Sequence, residues 1–201
     1  MRLFITRHGE TEGNLRKIHQ GHLPGVLTKV GIEQARKLAL RLKDEKIDAA
    51  YVSDLDRAKD TAEEILLFHP HIHVTCTPLL REASGGVFEG KLGKDLLAEK
   101  KASGEPFDTW HPKDGESWVD ARTRVLMLLK GVYDEHKNET VLFVSHGGVM
   151  TTLLLYLQGK PLDEQHFQQY HPGNTAVSII EIRGDKAHHF HVLNSTDHLK
   201  E

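Results

Sequence analysis

The sequence predicts a three-layer α/β/α sandwich built on a mostly parallel sheet. Three observations predict it. Short apolar runs alternate with amphipathic helical stretches, two of those runs stop at a histidine followed by glycine, and the last two runs are joined by a turn instead of a helix. With 201 residues and 38% hydrophobic content the chain suffices for one well-packed domain, 1–201, and nothing in its composition requires a second.

The first run, Leu3 to Ile5, reads as a buried strand that delivers Arg7, His8 and Gly9 at its carboxyl end, where ligand crevices of open α/β sheets lie. An arginine offers a fork of donors matched to phosphate, an imidazole offers a nucleophilic or proton-transferring nitrogen, and glycine lets the backbone approach a bound group. That triplet points to phosphoryl chemistry. Thr28 then caps a helix in which Ile32, Ala35, Ala39 and Leu42 recur at helical spacing. A second strand, Ala49 to Val52, leads through Ser53 and Asp54 into a helix running to about Leu67. Arg57 sits in its first turn, where a cation opposes the helix dipole unless an anion is bound nearby; the plain alternative is a surface pair with Asp54 or Asp60.

Val74 to Thr77 reads as a third buried strand, with Cys76 an inert thiol inside it. Arg81-Glu82 and the glycine-rich 84–90 follow, making Glu82 a candidate acid beside a flexible loop. The polar, irregular stretch 91–116, with a helical piece at 95–102, reads as an insertion over the site that acts as a specificity lid. Ser117 caps a helix through His136; Thr140 to Val144 is the clearest strand, ending in Ser145-His146-Gly147-Gly148 before a helix over 149–157. Strand-like segments 176–182 and 187–193 close the chain as a hairpin about Arg183-Gly184-Asp185-Lys186.

The whole set, Arg7-His8-Gly9-Glu10-Thr11 with Asn14, Leu27-Thr28-x-x-Gly31-x-x-Gln34-Ala35, Ser53-x-Leu55-x-Arg57-Ala58-x-x-Thr61-Ala62, Arg81-Glu82 with Gly86 and Glu89-Gly90, Gly115-Glu116-Ser117 and Val144-Ser145-His146-Gly147-Gly148, resembles the histidine phosphatase superfamily over nearly the whole chain. The resemblance implies a phosphoglycerate-mutase-like fold and a metal-independent phosphatase acting through a phosphohistidine. It implies His8 as nucleophile, Glu82 as the acid that protonates the leaving alkoxide, and Arg7, Arg57 and His146 as catalytic partners. Arg7, Asn14, Gly21, Arg57, Glu82, His146 and Gly147 would contact the substrate. Glu82 must be protonated before reaction, a state that a neighbouring phosphate dianion favours.

No cofactor and no metal are implied. Fifteen histidines invite a metal reading, but His69-Pro70-His71-Ile72-His73 and His188-His189-x-His191 lack carboxylates or cysteines at a familiar ligand spacing. A cofactor-dependent phosphoglycerate mutase using the same His8 is the alternative, and a non-catalytic scaffold ranks last. Mutases of this fold follow the glutamate with an arginine and a tyrosine, whereas Ala83-Ser84-Gly85-Gly86 stand here. The net charge of −3, the single cysteine and the absence of a long apolar run predict a cytoplasmic protein acting on a small phosphorylated metabolite, with no nucleic acid or membrane partner. Segments 91–116 and 170–174 are expected to choose that metabolite. Oligomeric state is not legible.

Overall fold

The computed structural model describes residues 1–184 and 187–200. Six strands form one sheet in the order β3-β2-β4-β1-β5-β6: β1 Arg2–Arg7, β2 Ala49–Ser53, β3 His73–Thr77, β4 Thr140–Ser145, β5 Val177–Glu181 and β6 His189–Ser195. The pairs β3/β2, β2/β4 and β4/β1 are parallel, and β5 runs antiparallel to both β1 and β6. The predicted three-layer, mostly parallel arrangement is therefore the observed one.

Alternation along the central strands sets the layers. Leu3, Ile5, Val141 and Phe143 face a core with helices α5 (Trp118–Glu135) and α6 (Gly147–Leu157). Phe4, Leu142 and Val144 face the opposite core, with α2 (Lys29–Leu42) and α3 (Asp56–Leu66). A period of two distributes one continuous apolar run between two cores. Helix α6 is buried along its length except at Tyr156, as its near-total apolarity requires. No helix among the described residues is long and apolar enough to cross a membrane.

Several expectations shift. The helix expected over 149–157 starts two residues earlier, making His146 its N-cap. Helix α4, Gly93–Ser103, extends slightly beyond 95–102, and β6 lies two residues later than predicted, after register irregularities against β5. In the turn proposed for that hairpin, Asp185 and Lys186 lie outside the described residues. Two short helices were not anticipated: α1, Glu12–Leu15, and α7, Glu164–Tyr170, whose N-cap Asp163 accepts from the His166 amide. Cys76 is exposed, not buried: β3 is an edge strand, a placement its own letters do not reveal.

Candidate active site

The carboxyl ends of β1, β2 and β4 come out side by side, because Arg7 is in register with Ser145 and Val52 with Val144. Ser53, His8 and His146 therefore emerge together, and the rings of His8 and His146 lie 5.1 Å apart. The backbone after β1 is pressed onto the start of α2: a Cβ on Gly9 would overlap the Gly31 carbonyl, and one on Gly31 would overlap Glu10. Both positions must be glycine for this approach. The Gly9 amide donates to the Thr61 hydroxyl and the Glu10 amide to Gln34, so conserving the path of this loop falls to residues of α2 and α3.

His8 is buried, and its Nδ1 lies 2.7 Å from the Gly9 carbonyl oxygen. A carbonyl only accepts, so Nδ1 carries the proton and Nε2 keeps its lone pair. Burial, then the charges of Arg7 and Arg57, hold the ring well below the ordinary imidazole pKa. His146 is fully buried and lowered in the same way, by burial and by Arg57. Its Nδ1 accepts from Arg57 Nε at 3.2 Å, leaving its Nε2 to donate to the Ser53 hydroxyl at 2.8 Å.

Arg57 is 1% exposed. Its Nη2 donates to the Gly21 carbonyl at 2.7 Å and its Nη1 to that of Leu23 at 2.8 Å. Asp54 is bound by Arg81 through two 2.7 Å bonds, so the surface pairing considered for Arg57 is not formed with it. Burial pulls the Arg57 pKa down to about 10, which leaves the guanidinium charged at neutral pH. Gly21, at φ +49°, is a carbonyl anchor for this arginine, and Glu89 occupies the place of any side chain there. Arg7 gives one bond to the Pro172 carbonyl, at 2.8 Å, while its buried Nε has no partner among the described residues. Asn14 closes this side; its Oδ1 accepts from the Thr11 amide and from Asn174, which also holds the His8 carbonyl.

The Glu82 carboxyl lies at the N-terminus of α6. It accepts from the amides of Gly148 at 3.0 Å, Val149 at 3.2 Å and Ala83 at 3.0 Å. Arg124 braces it from behind, donating to the carbonyls of Leu79 and Glu82 and making a two-pronged pair with Glu116 at 2.9 and 3.0 Å. The structure thus gathers Arg7, His8, Asn14, Gly21, Arg57 and Glu82 around one crevice, with His146 beneath and Gly147 at the helix start beside it.

Sequence reading missed His19, whose buried Nε2 has no partner among the described residues, and His22, whose Nε2 lies 2.8 Å from the Glu82 carbonyl. It quoted Glu89, Ser53 and Thr61 in the motif set without giving them a place at the site, where Glu89 accepts from the His22 and Gly85 amides, Ser53 meets His146 and Thr61 holds the Gly9 amide, and it missed Arg124. Lone histidines in a chain with fifteen carry no local signal; Ser53 and Thr61 do, through their spacing on either side of Arg57. Segment 170–174 mainly braces Arg7, His8 and Asn14, with His171 reaching the crevice. Among the described residues no group of three or more histidine, cysteine, aspartate or glutamate side chains is arranged to hold a metal.

The model of the histidine phosphatase superfamily, branch 1, matches residues 3–196. The adenosylcobalamin/alpha-ribazole phosphatase of Escherichia coli (strain K12) is 33% identical over 176 residues, covering 84% of this chain and 85% of that one. A phosphoglycerate mutase of Schizosaccharomyces pombe is 34% identical over 174 residues, with 81% and 82% covered. The solved structure of Bacillus stearothermophilus YhfR superposes with a TM-score of 0.89 at 31% identity, covering 98% of both chains.

Proposed function

The chain belongs to the histidine phosphatase superfamily as a phosphomonoester hydrolase, and from that premise we propose that it works without a metal, on small phosphorylated metabolites, through a phosphohistidine on His8. The observation that carries this reading is the tautomer of His8: Nδ1–H is spent on Gly9, so Nε2 presents a lone pair in a pocket of fixed cations.

In the first step Nε2 attacks phosphorus in line as the P–O bond to the alcohol breaks. Glu82 gives its proton to the departing alkoxide. In the second, water attacks the phosphohistidine, the P–N bond breaks, and the water proton returns to Glu82 as phosphate leaves. Charge spreads over three phosphoryl oxygens during each transfer, and preorganised donors stabilise it without reorganising. Arg7 Nε and the Gly147 amide supply such donors, joined by Asn14 and by Arg57, which His146 holds in place from beneath through its Nδ1. Segment 91–116 acts as the specificity lid; it contributes Leu96, Leu97, Phe107 and Trp110 to the wall of a cavity next to the crevice.

The likeness to a protein named phosphoglycerate mutase keeps phosphoryl transfer to a second phosphoglycerate as the competing reading. A hydrolysis screen across phosphorylated metabolites, run with and without chelator, tests the proposal. Phosphate release that persists in chelator supports it; release that needs an added divalent ion overturns the metal-independent reading.

A further inference from the structure

A cavity of about 340 Å³ opens directly beside the phosphate crevice, within the size range of roughly 300–1,000 Å³ that suits a small organic ligand. The two share His19, Leu96, Leu97, Trp118, Phe167 and His171, so they form one trough with a cationic end and a second compartment. That compartment is aromatic. Phe107 stacks on Trp118 with centroids 6.4 Å apart, Phe167 meets Phe107 at 5.3 Å, and Trp118 and Phe167 lie 4.4 Å apart.

The charged groups around it are largely committed. Glu116 is held by Arg124 and the Ser84 amide, and Glu164 accepts from Gln168. Lys100 is the only lysine or arginine among the described residues that line the cavity, and its Nζ donates to the Glu105 carbonyl at 2.6 Å. A carboxylate entering here would meet two acidic side chains and one engaged lysine, whereas an apolar body would meet stacked rings. His19, at the seam between the compartments, packs against Gly85 and its buried Nε2 has no partner among the described residues.

We infer that this compartment receives the leaving group, and that the enzyme's substrates are phosphomonoesters of bulky, apolar, ring-bearing alcohols in preference to phosphorylated amino or hydroxy acids. The inference rests on the phosphatase reading above. Binding energy from the ring, remote from phosphorus, then orients the ester oxygen between His8 and Glu82.

The experiment compares kcat/KM for 2-phenylethyl phosphate, ethyl phosphate and O-phosphoserine, three esters of primary alcohols, with p-nitrophenyl phosphate as the activity control. The phenylethyl ester should exceed each of the other two by about 100-fold, the scale expected for burying an aromatic ring. Phe107→Ala, in the loop after α4, and Leu97→Asp, at an exposed position at the cavity mouth, should each cut the phenylethyl-to-ethyl ratio by about tenfold while thermal unfolding still shows one cooperative transition. Ratios near one, a preference for O-phosphoserine, or ratios untouched by both variants overturn the inference and leave the phosphatase reading standing. Release from none of the esters, p-nitrophenyl phosphate included, overturns both.

Discussion

The Nδ1 atom of His8 is hydrogen-bonded to the carbonyl of the next residue, Gly9, at 2.7 Å. This bond fixes ring orientation and tautomer at once, and Gly9 can turn its carbonyl inward because it packs without a side chain against Gly31. The expected outcome is a phosphoryl adduct on His8 Nε2, stable in alkali and lost in acid. Quenching turnover without acid and mapping the phosphate by mass spectrometry checks it. His8→Ala should lose at least about 10⁴-fold in kcat, and an active variant would remove the covalent step.

Glu82 separates an acid from a structural carboxylate. A proton matters most to a poor leaving group, so Glu82→Gln should slow alkyl phosphates by about 10²–10⁴-fold and p-nitrophenyl phosphate far less. A glutamine oxygen in the place of Oε1 still accepts from the Ala83 and Val149 amides, so the variant keeps two of the three contacts and loses the Gly148 one. Equal losses on both esters would transfer the role, with Glu89 the next carboxyl to examine.

How far these roles could be read from sequence depended on whether a residue's purpose was local. Strand ends carrying Arg7-His8 and Ser145-His146 were legible, since an apolar run stopping at a polar residue and glycine is a signal within a few positions. So was the cap at Ser117, confirmed by its reciprocal bonds with Asp120. The exposure of Cys76 was not, because edge and central strands differ in their neighbours, which are set by sheet order. Helix α7 escaped for a related reason: Phe167 is its only buried residue, so seven positions show no period. Arg124 reaches Glu82 from 42 residues away, and nothing in its surroundings on α5 announces that destination.

Stability should fall with acid through the buried histidines. His8, His146 and His198 all have pKa values lowered in the folded chain, mainly by burial, His198 to about 4. Below the unfolded value of about 6.5 the unfolded chain binds protons that the folded chain refuses. Each histidine therefore costs up to about 1.4 kcal/mol per pH unit as pH drops from 6.5 towards its folded pKa, and nothing above that window. Urea unfolding at pH 7.5 and 5.5 should show the loss. His198→Gln, remote from the crevice, should shrink the difference between the two pH values; an unchanged difference would exclude His198 as a contributor.

Inhibition tests the use of arginines in place of a metal. Vanadate, which adopts the trigonal geometry of the transferring group, should inhibit by engaging His8 Nε2 and the donors of Arg7 and Arg57, while EDTA leaves phosphate release unchanged. Arg57→Lys should weaken vanadate binding by at least tenfold, because one ammonium cannot serve Gly21, Leu23, His146 and an oxyanion together. Activity lost to EDTA and restored by a divalent ion would refute this arrangement.

The acceptor of the phosphoryl group is the remaining choice, and it turns on what can hold an acid against the phosphohistidine. A mutase must retain the intermediate phosphoglycerate and keep water out, which calls for cations fixed near its carboxylate. Residues after Glu82 offer little: Ala83 is buried, the Ser84 hydroxyl is bonded to Glu89, and Gly85 packs against His19. The lysines that could supply contacts from another direction are placed elsewhere. Lys91, Lys94 and Lys113 are exposed, none lines the cavity, and Lys91 lies over the Phe88 ring. Among the described residues Lys100 is the one lysine that lines it, and there it caps the chain at Glu105. Purified protein should therefore release phosphate from phosphomonoesters much faster than it interconverts 2- and 3-phosphoglycerate, even with 2,3-bisphosphoglycerate supplied. An enolase-coupled assay measures the mutase rate beside phosphate release. Mutase turnover equal to or above hydrolysis would mean that Lys100 leaves Glu105 to grip the acid, and Lys100→Met would then abolish the mutase rate selectively.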